Sequence, residues 1–241
     1  MGTTVDSALT AGKNINGISL TTDFKSTSGT YVVKAENLKN YTASEDLFKL
    51  VGQDNNVSSQ TLMAWFDFSD ITSAKNLFEL ANGNANENHS GYILSYDESV
   101  LTLNKRGQNG SKMTGTSNNG TQEGEITLTS PLSGWHHLAI TITDPASTSA
   151  TADRNSTVEI FIDGNSVGTI KKFAVNSQGA PFMQAVFGSA DVDVAGVRLY
   201  NTVLTSAEIK NAASAIPEPS TFGLLAGLGA LALVGTRRRR R

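Results

Sequence analysis

Three runs of alternating apolar and polar residues crowd into the stretch from Gly134 to Glu208, and they dictate antiparallel β structure. In the first run Leu138, Ile140 and Ile142 alternate with Ala139 and Thr141; in the second Val158, Ile160 and Ile162 alternate with Glu159 and Phe161. Successive side chains on a strand point to opposite faces, so each run presents one apolar face to a core. Asp163-Gly164 then interrupts the pattern. That dipeptide predicts a two-residue hairpin, because the turn needs positive φ angles that Gly and Asp adopt at least steric cost.

The third run is out of phase. Val192 and Val194 share one strand face, whereas Val197 and Leu199 share the other. Period two cannot bury all four, so an extra residue is expected, as a β-bulge at Ala195-Gly196. Thr205-Ser206-Ala207-Glu208 follows with the spacing of a capping box. It predicts a short helix that closes the domain, with Ala207 and Ile209 as its contacts.

These residues resemble a known family. The W-H-H-x-A strand from Trp135 to Ala139, the I-F-I-D-G-N turn ending at Asn165 and the closing V-R-L-Y-N-x-x-L-x-x-x-E-I from Val197 to Ile209 are similar to the laminin-G-like jelly roll. That family belongs to the concanavalin A-like lectins and glucanases. The resemblance implies an all-β, two-sheet antiparallel sandwich over residues 15–211, after an unstructured N-terminus at 1–14.

Length and composition agree. A single all-β domain plus a tail fits 241 residues, and the absence of cysteine excludes thiol catalysis and cysteine-bound metals. Residues 1–216 carry 14 Lys and Arg against 21 Asp and Glu, a net of −7. Such an acidic domain is expected to bind no nucleic acid, which takes a basic surface.

Along the chain, Ile18 to Phe24 and Tyr31 to Val33 read as early strands. Thr61 to Phe68 is a core strand with Leu62, Ala64, Phe66 and Phe68 on one face and Met63, Trp65 and Asp67 on the other. Leu77 to Leu80 is a further strand. Tyr92 to Tyr96 and Val100 to Leu103 form a hairpin around Asp97-Glu98-Ser99. Asn104 to Gly124 is rich in Asn, Gly and Ser and reads as a long loop or a weak strand pair, and Asp144 to Ser156 as a long polar loop.

The C-terminus carries a second resemblance. Pro217-Glu218-Pro219 lies in a linker at 212–220, an apolar run fills 221–236, and Arg237, Arg238, Arg239, Arg240 and Arg241 end the chain. This order resembles the PEP-CTERM sorting signal. It implies that a membrane exosortase recognises Pro217, Glu218 and Pro219, that 221–236 is an isolated transmembrane helix, and that the arginines are its cytoplasmic stop. Phe222 to Thr236 would span roughly 22 Å as a helix, short of a ~30 Å hydrocarbon core, so arginine snorkelling would cover the deficit. Positive charge at that end places the domain across the membrane, outside. Met1-Gly2-Thr3-Thr4 has no charged and apolar leader, so the export signal is expected upstream of this start.

Candidate sites are few. His136 and His137 are adjacent, so their side chains leave opposite faces and do not readily chelate one ion. Catalytic relatives of this fold carry E-x-D-x-E or E-x-D-x-x-E on one strand. Here no Glu is followed by Asp two residues later, and beyond Glu123-Gly124-Glu125 the third acid is replaced by Leu128. No hydrolysis is therefore expected, and a catalytic carboxylate pair would have to assemble from separate strands. Asp191 and Asp193 share a strand face and are the candidate calcium ligands, with Asp67 and Asp70 as further oxygens. Trp65, Tyr92 and Tyr96 are the candidate residues for stacking a sugar, with Trp135 and Phe182 as other aromatics. Together these features imply an exported surface or extracellular-matrix protein with a non-catalytic binding module for carbohydrate or adhesion. Its rivals are a structural matrix component without a ligand and a cryptic glycoside hydrolase.

Overall fold

A computed structural model describes residues 5–6, 10–14, 17–21, 27–28, 31–34, 59–81, 91–107, 111–117, 120–143, 155–174, 184–189, 192–200 and 202–214. In chain order the strands are β1 (Val5–Asp6), β2 (Thr10–Asn14), β3 (Gly17–Thr21), β4 (Thr27–Ser28), β5 (Tyr31–Lys34), β6 (Gln60–Asp67), β7 (Lys75–Ala81), β8 (Gly91–Asp97) and β9 (Val100–Arg106). They continue as β10 (Lys112–Met113), β11 (Thr116–Ser117), β12 (Gly120–Thr121), β13 (Glu123–Thr127), β14 (Trp135–Thr143), β15 (Asn155–Ile162), β16 (Asn165–Ala174), β17 (Gln184–Phe187) and β18 (Asp193–Tyr200). One helix, α1 (Ser206–Ser214), follows.

The strands form two sheets. The first runs β1-β5-β17-β7-β8-β9-β10, with β13 also on β9; the second runs β11-β12-β16-β15-β14-β6-β18-β3-β2, with β4 on β18. Pairing is antiparallel except at β1–β5 and β12–β16. Between the sheets lies one apolar cluster. Leu62, Ala64, Phe66, Leu138, Ile140, Ile142, Val158, Ile160 and Ile162 meet Phe78, Leu80, Tyr92, Leu94, Leu101 and Leu103 there. Both predicted alternating sets are buried in it, as in the face-to-face packing of a sandwich.

The hairpin forms where expected. Asp163 and Gly164 have φ of 49° and 77°, and Ile162 pairs Asn165 across them. The bulge is also present. Pairing between β18 and β6 shifts between Ala195 and Arg198, Gly196 has φ of 58°, and Val194 and Val197 are both buried. The capping box closes reciprocally: Glu208 Oε2 accepts from the Thr205 amide and hydroxyl, both at 2.8 Å, and the Glu208 amide donates to Thr205 Oγ1 at 3.3 Å.

Three expectations are corrected. Residues 1–14, read as unstructured, supply β1 and β2, and β2 pairs β3 from Thr10↔Thr21 to Asn14↔Gly17. The β2 sequence, TAGKN, has no apolar alternation for side-chain periodicity to reveal. Helix α1 docks through Ile209 and Ala212, while Ala207 is exposed. Two residues along a helix are about 200° apart, so Ala207 and Ile209 take opposite sides. The helix also runs to Ser214, past the expected domain end at 211. Of the two readings of Asn104 to Gly124 the strand pair holds: the segment carries the end of β9, the short strands β10 to β12, with β11 on β12, and the start of β13. The expected transmembrane helix at 221–236 and the linker before it lie outside the described residues. Among the described residues no helix is long and apolar enough to cross a membrane.

Candidate functional site

The outward face of the second sheet carries two unlike ends. Register sets them. β14 pairs β6 with Trp135 opposite Asp67, His137 opposite Trp65 and Ala139 opposite Met63. β18 pairs β6 with Val194 opposite Phe66, Ala195 opposite Trp65 and Arg198 opposite Met63. One step further along that register, Asp193 falls opposite Asp67. The bulge brings this about. Five residues separate Asp193 from Arg198, so an unbroken strand would put them on opposite faces.

At one end Met63, Ala139, Phe161 and Tyr200 form a second buried cluster with Leu204, Ile209 and Ala212, beneath α1. At the other end Trp65, Trp135, Asp67 and Asp193 are half-buried. Two indole rings thus stand diagonally on adjacent strands, with two carboxylates in the outer row. Asp67 also holds the turn after β6, where its Oδ1 accepts from the Ser69 amide at 2.9 Å and hydroxyl at 2.7 Å.

His137 and Asp163 mark the boundary between these ends. The Asp163 carboxylate accepts the His137 amide at 2.9 Å and the His136 Nδ1–H at 2.7 Å, while the Asp163 amide donates to the His137 carbonyl at 2.8 Å. The hairpin turn is thereby clasped onto β14. The other ring nitrogen of His136 faces the Ser133 carbonyl at 3.2 Å. Both partners are acceptors, so the ring makes both bonds only as an imidazolium. The hydrogen bond to Asp163 accordingly raises the His136 pKa, against its partial burial. For Asp163, burial pushes the pKa up, but hydrogen bonds from His136 and the His137 amide outweigh it and leave it lowered. His137 is 1% exposed, and burial, with the nearby Arg198 charge, lowers its pKa to about 4. The His137 ring meets Trp65 edge-on at 5.4 Å, and its Nδ1 has no hydrogen-bond partner. The pair is therefore a packing and hydrogen-bonding motif, with one histidine on each side as adjacency predicts.

Of the aromatic candidates among the described residues, Trp65 and Trp135 are both half-buried. Tyr92 and Tyr96 are each 1% exposed and belong to the core between the sheets, a correction to their expected role. Tyr96 packs edge-on against Phe68 at 4.9 Å, donates its hydroxyl to the Glu98 carbonyl and accepts the Leu132 amide at 2.7 Å. Tyr92 packs edge-on against Phe78 at 5.7 Å. Both lie in phase with Leu94 on β8, so the inward face claims all three. Asp193 stands on the face just described; Asp191 and Phe182 lie outside the described residues. No group of three or more His, Asp or Glu among the described residues is arranged to hold a metal.

The carboxylates of the first sheet are tied up differently. Glu79 pairs with Arg106, and Glu123 accepts the Asn104 amide at 3.1 Å. Glu123 and Glu125 share a face of β13, and Thr127 is the next residue on that face. Sequence reasoning named Trp65 and Trp135 as aromatics and Asp67 and Asp193 as oxygen donors, each separately. Only the register across β14, β6 and β18 brings the four together.

A family model described as the concanavalin A-like lectin/glucanases superfamily matches residues 40–210, and one for the PEP-CTERM protein-sorting motif matches residues 215–240. No curated protein matches by sequence. Among solved structures, the Ruminococcus gnavus sialidase CBM40 bound to α2,3-sialyllactose shares 12% identity at a TM-score of 0.49, over 81% of this chain and 98% of that one. A botulinum neurotoxin DC binding domain in complex with SialylT shares 11% at 0.47, over 88% and 46%. A leech intramolecular trans-sialidase shares 10% at 0.49, over 82% and 28%. At such identities a likeness of fold says nothing about the ligand.

Proposed function

The chain belongs to the concanavalin A-like lectin/glucanase superfamily, and on that premise we propose that it is an exported, non-catalytic carbohydrate-binding module of the cell surface or extracellular matrix. The observation that supports this reading is the junction of domain and signal. The closing helix ends at Ser214, and the sorting motif begins at residue 215. The sandwich is then the cargo that the signal carries. In this reading an exosortase recognises Pro217, Glu218 and Pro219. The apolar segment 221–236 first holds the protein in the inner membrane, with Arg237 to Arg241 inside. The domain, with its acidic surface and half-exposed tryptophans, serves as an adhesive or glycan-binding unit once outside.

Hydrolysis is not part of the proposal. Asp67 and Asp193 are cross-strand neighbours, their Cβ atoms roughly 5 Å apart, and are the pair that a hydrolase reading would have to use. What supports leaving hydrolysis out is that no Glu is followed by Asp two residues later, and that Asp67 Oδ1 is engaged by the Ser69 amide and hydroxyl in the turn after β6.

Expression of the full chain with and without an exosortase tests the sorting half. The expected result is loss of the tail and transfer from membrane to surface only when the enzyme is present and Glu218 intact. A Glu218→Ala chain sorted like the wild type defeats it. Retention on immobilised polysaccharide without release of reducing ends tests the binding half; release of reducing ends restores the hydrolase.

A further inference from the structure

We propose that the surface formed by Trp65, Trp135, Asp67 and Asp193 is the glycan site, and that it takes an uncharged, hydroxyl-rich polysaccharide rather than an acidic one. This rests on the carbohydrate-binding reading above and specifies where and what.

The geometry comes from the register. Trp135 pairs Asp67, Trp65 pairs His137 two residues along, and so the two indoles are diagonal neighbours on one face. Diagonal positions of a pleated sheet are about 7–8 Å apart, within reach of large aromatic rings. Two such rings present an apolar floor on which the C–H faces of successive sugar units rest. Both tryptophans are half-buried. Their inner edges are thus supported by the sheet while part of each remains open.

The polar groups then choose the ligand. Asp67 and Asp193 line the outer row, and ionised carboxylates only accept hydrogen bonds. Sugar hydroxyls donate to them; a uronate, sulfate or sialate would meet like charge instead. Among the described residues Arg198, on the same face, lies one row beyond Trp65 and hydrogen-bonds the Tyr200 side chain. The net of −7 over residues 1–216 adds to the repulsion of a polyanion. His137, buried with Nδ1 unpartnered, packs edge-on against Trp65 at 5.4 Å.

The test is affinity electrophoresis of the full chain, in detergent, through gels containing a neutral β-glucan, a neutral mannan or anionic alginate. The expected result is retardation by a neutral polymer and none by alginate. Retardation should change little between low and high salt. Trp135→Ala should weaken it about tenfold, equivalent to ~1.4 kcal/mol, with a smaller loss of melting temperature than Phe161→Ala. Trp65→Phe serves as a second variant that keeps an aromatic ring in place, and a several-fold loss is expected. Strongest retardation by alginate, or neutral-glycan binding that survives both variants, overturns the site while leaving a carbohydrate-binding module in place. No retardation by any of the three polymers overturns the site and the carbohydrate reading together.

Discussion

Met63 and Trp65 stand two residues apart on the same face of β6, yet their surroundings differ completely. Met63 is 1% exposed, among Ala139, Phe161 and Ile209. Trp65 is half-buried, with His137 on one side and Ala195 on the other. The strands, the face and the sheet are shared. The difference is α1, which docks over one end of the face through Ile209 and Ala212 and stops short of the other. A sandwich needs only its inner faces to fold. An outer face becomes core where something covers it, and remains a surface free to bind where nothing does.

The largest expected effect lies under the helix. Phe161→Ala empties the centre of the second cluster and should cost about 3–5 kcal/mol, read as a lower midpoint in urea. A loss below ~1 kcal/mol would mean that the helix is a loose appendage and the two ends of the face are alike.

At the boundary, acid should act through His137. Its pKa is lowered to about 4 in the fold, so the unfolded chain takes up the proton first as pH falls below 6.5. Stability is therefore present above pH 6.5 and lost between 6.5 and about 4, by up to ~3 kcal/mol. His136, whose pKa is raised, contributes with the opposite sign over the neutral range. Asp163, whose pKa is lowered, adds its own loss only below its unfolded value of 3.8. Replacing His137 by Gln should flatten the slope of stability between pH 6.5 and 4; an unchanged slope places the acid sensitivity elsewhere.

Smaller again is the fit of helix to turn. A Cβ on Gly164 would lie 2.6 Å from the Lys210 Cα, and φ there is +77°. Gly164→Ala should cost of the order of 1–3 kcal/mol and speed hydrogen exchange in α1 more than in β8. Uniform exchange would deny that the turn seats the helix.

The smallest stability effect is expected at the open end. Trp135→Ala should cost less stability than Phe161→Ala, since Trp135 is only partly buried. A loss as large as that of Phe161→Ala would erase the contrast and make the tryptophans core.

Much of the fold was legible because it is written in local periodicity. The 138–142 and 158–162 runs, the Asp163-Gly164 turn, the bulge at Ala195-Gly196 and the Thr205 cap each depend on residues close in sequence, and each appears as read. The candidate site was less legible. Tyr92 and Tyr96 share a phase that period two defines, but period two does not say which phase faces the partner sheet. Ala207 was misplaced for a related reason, since the capping box starts a helix without choosing its docked side. Strands β1 and β2 were missed because polar edge strands carry no apolar alternation.

What the sequence determined alone, then, is the class of structure and the sorting tail: alternation specifies strands, Asp-Gly a turn, and Pro-Glu-Pro with its apolar and arginine segments a contiguous signal. What only the tertiary structure decided is which outward residues are covered and which meet across strands. Trp65 and Trp135 are 70 positions apart, and Asp67 and Asp193 are 126 apart. Such pairs come together through backbone register over three strands. Register is set by the packing of the opposite, apolar face, so the composition of the binding face is a consequence of a core in which it takes no part.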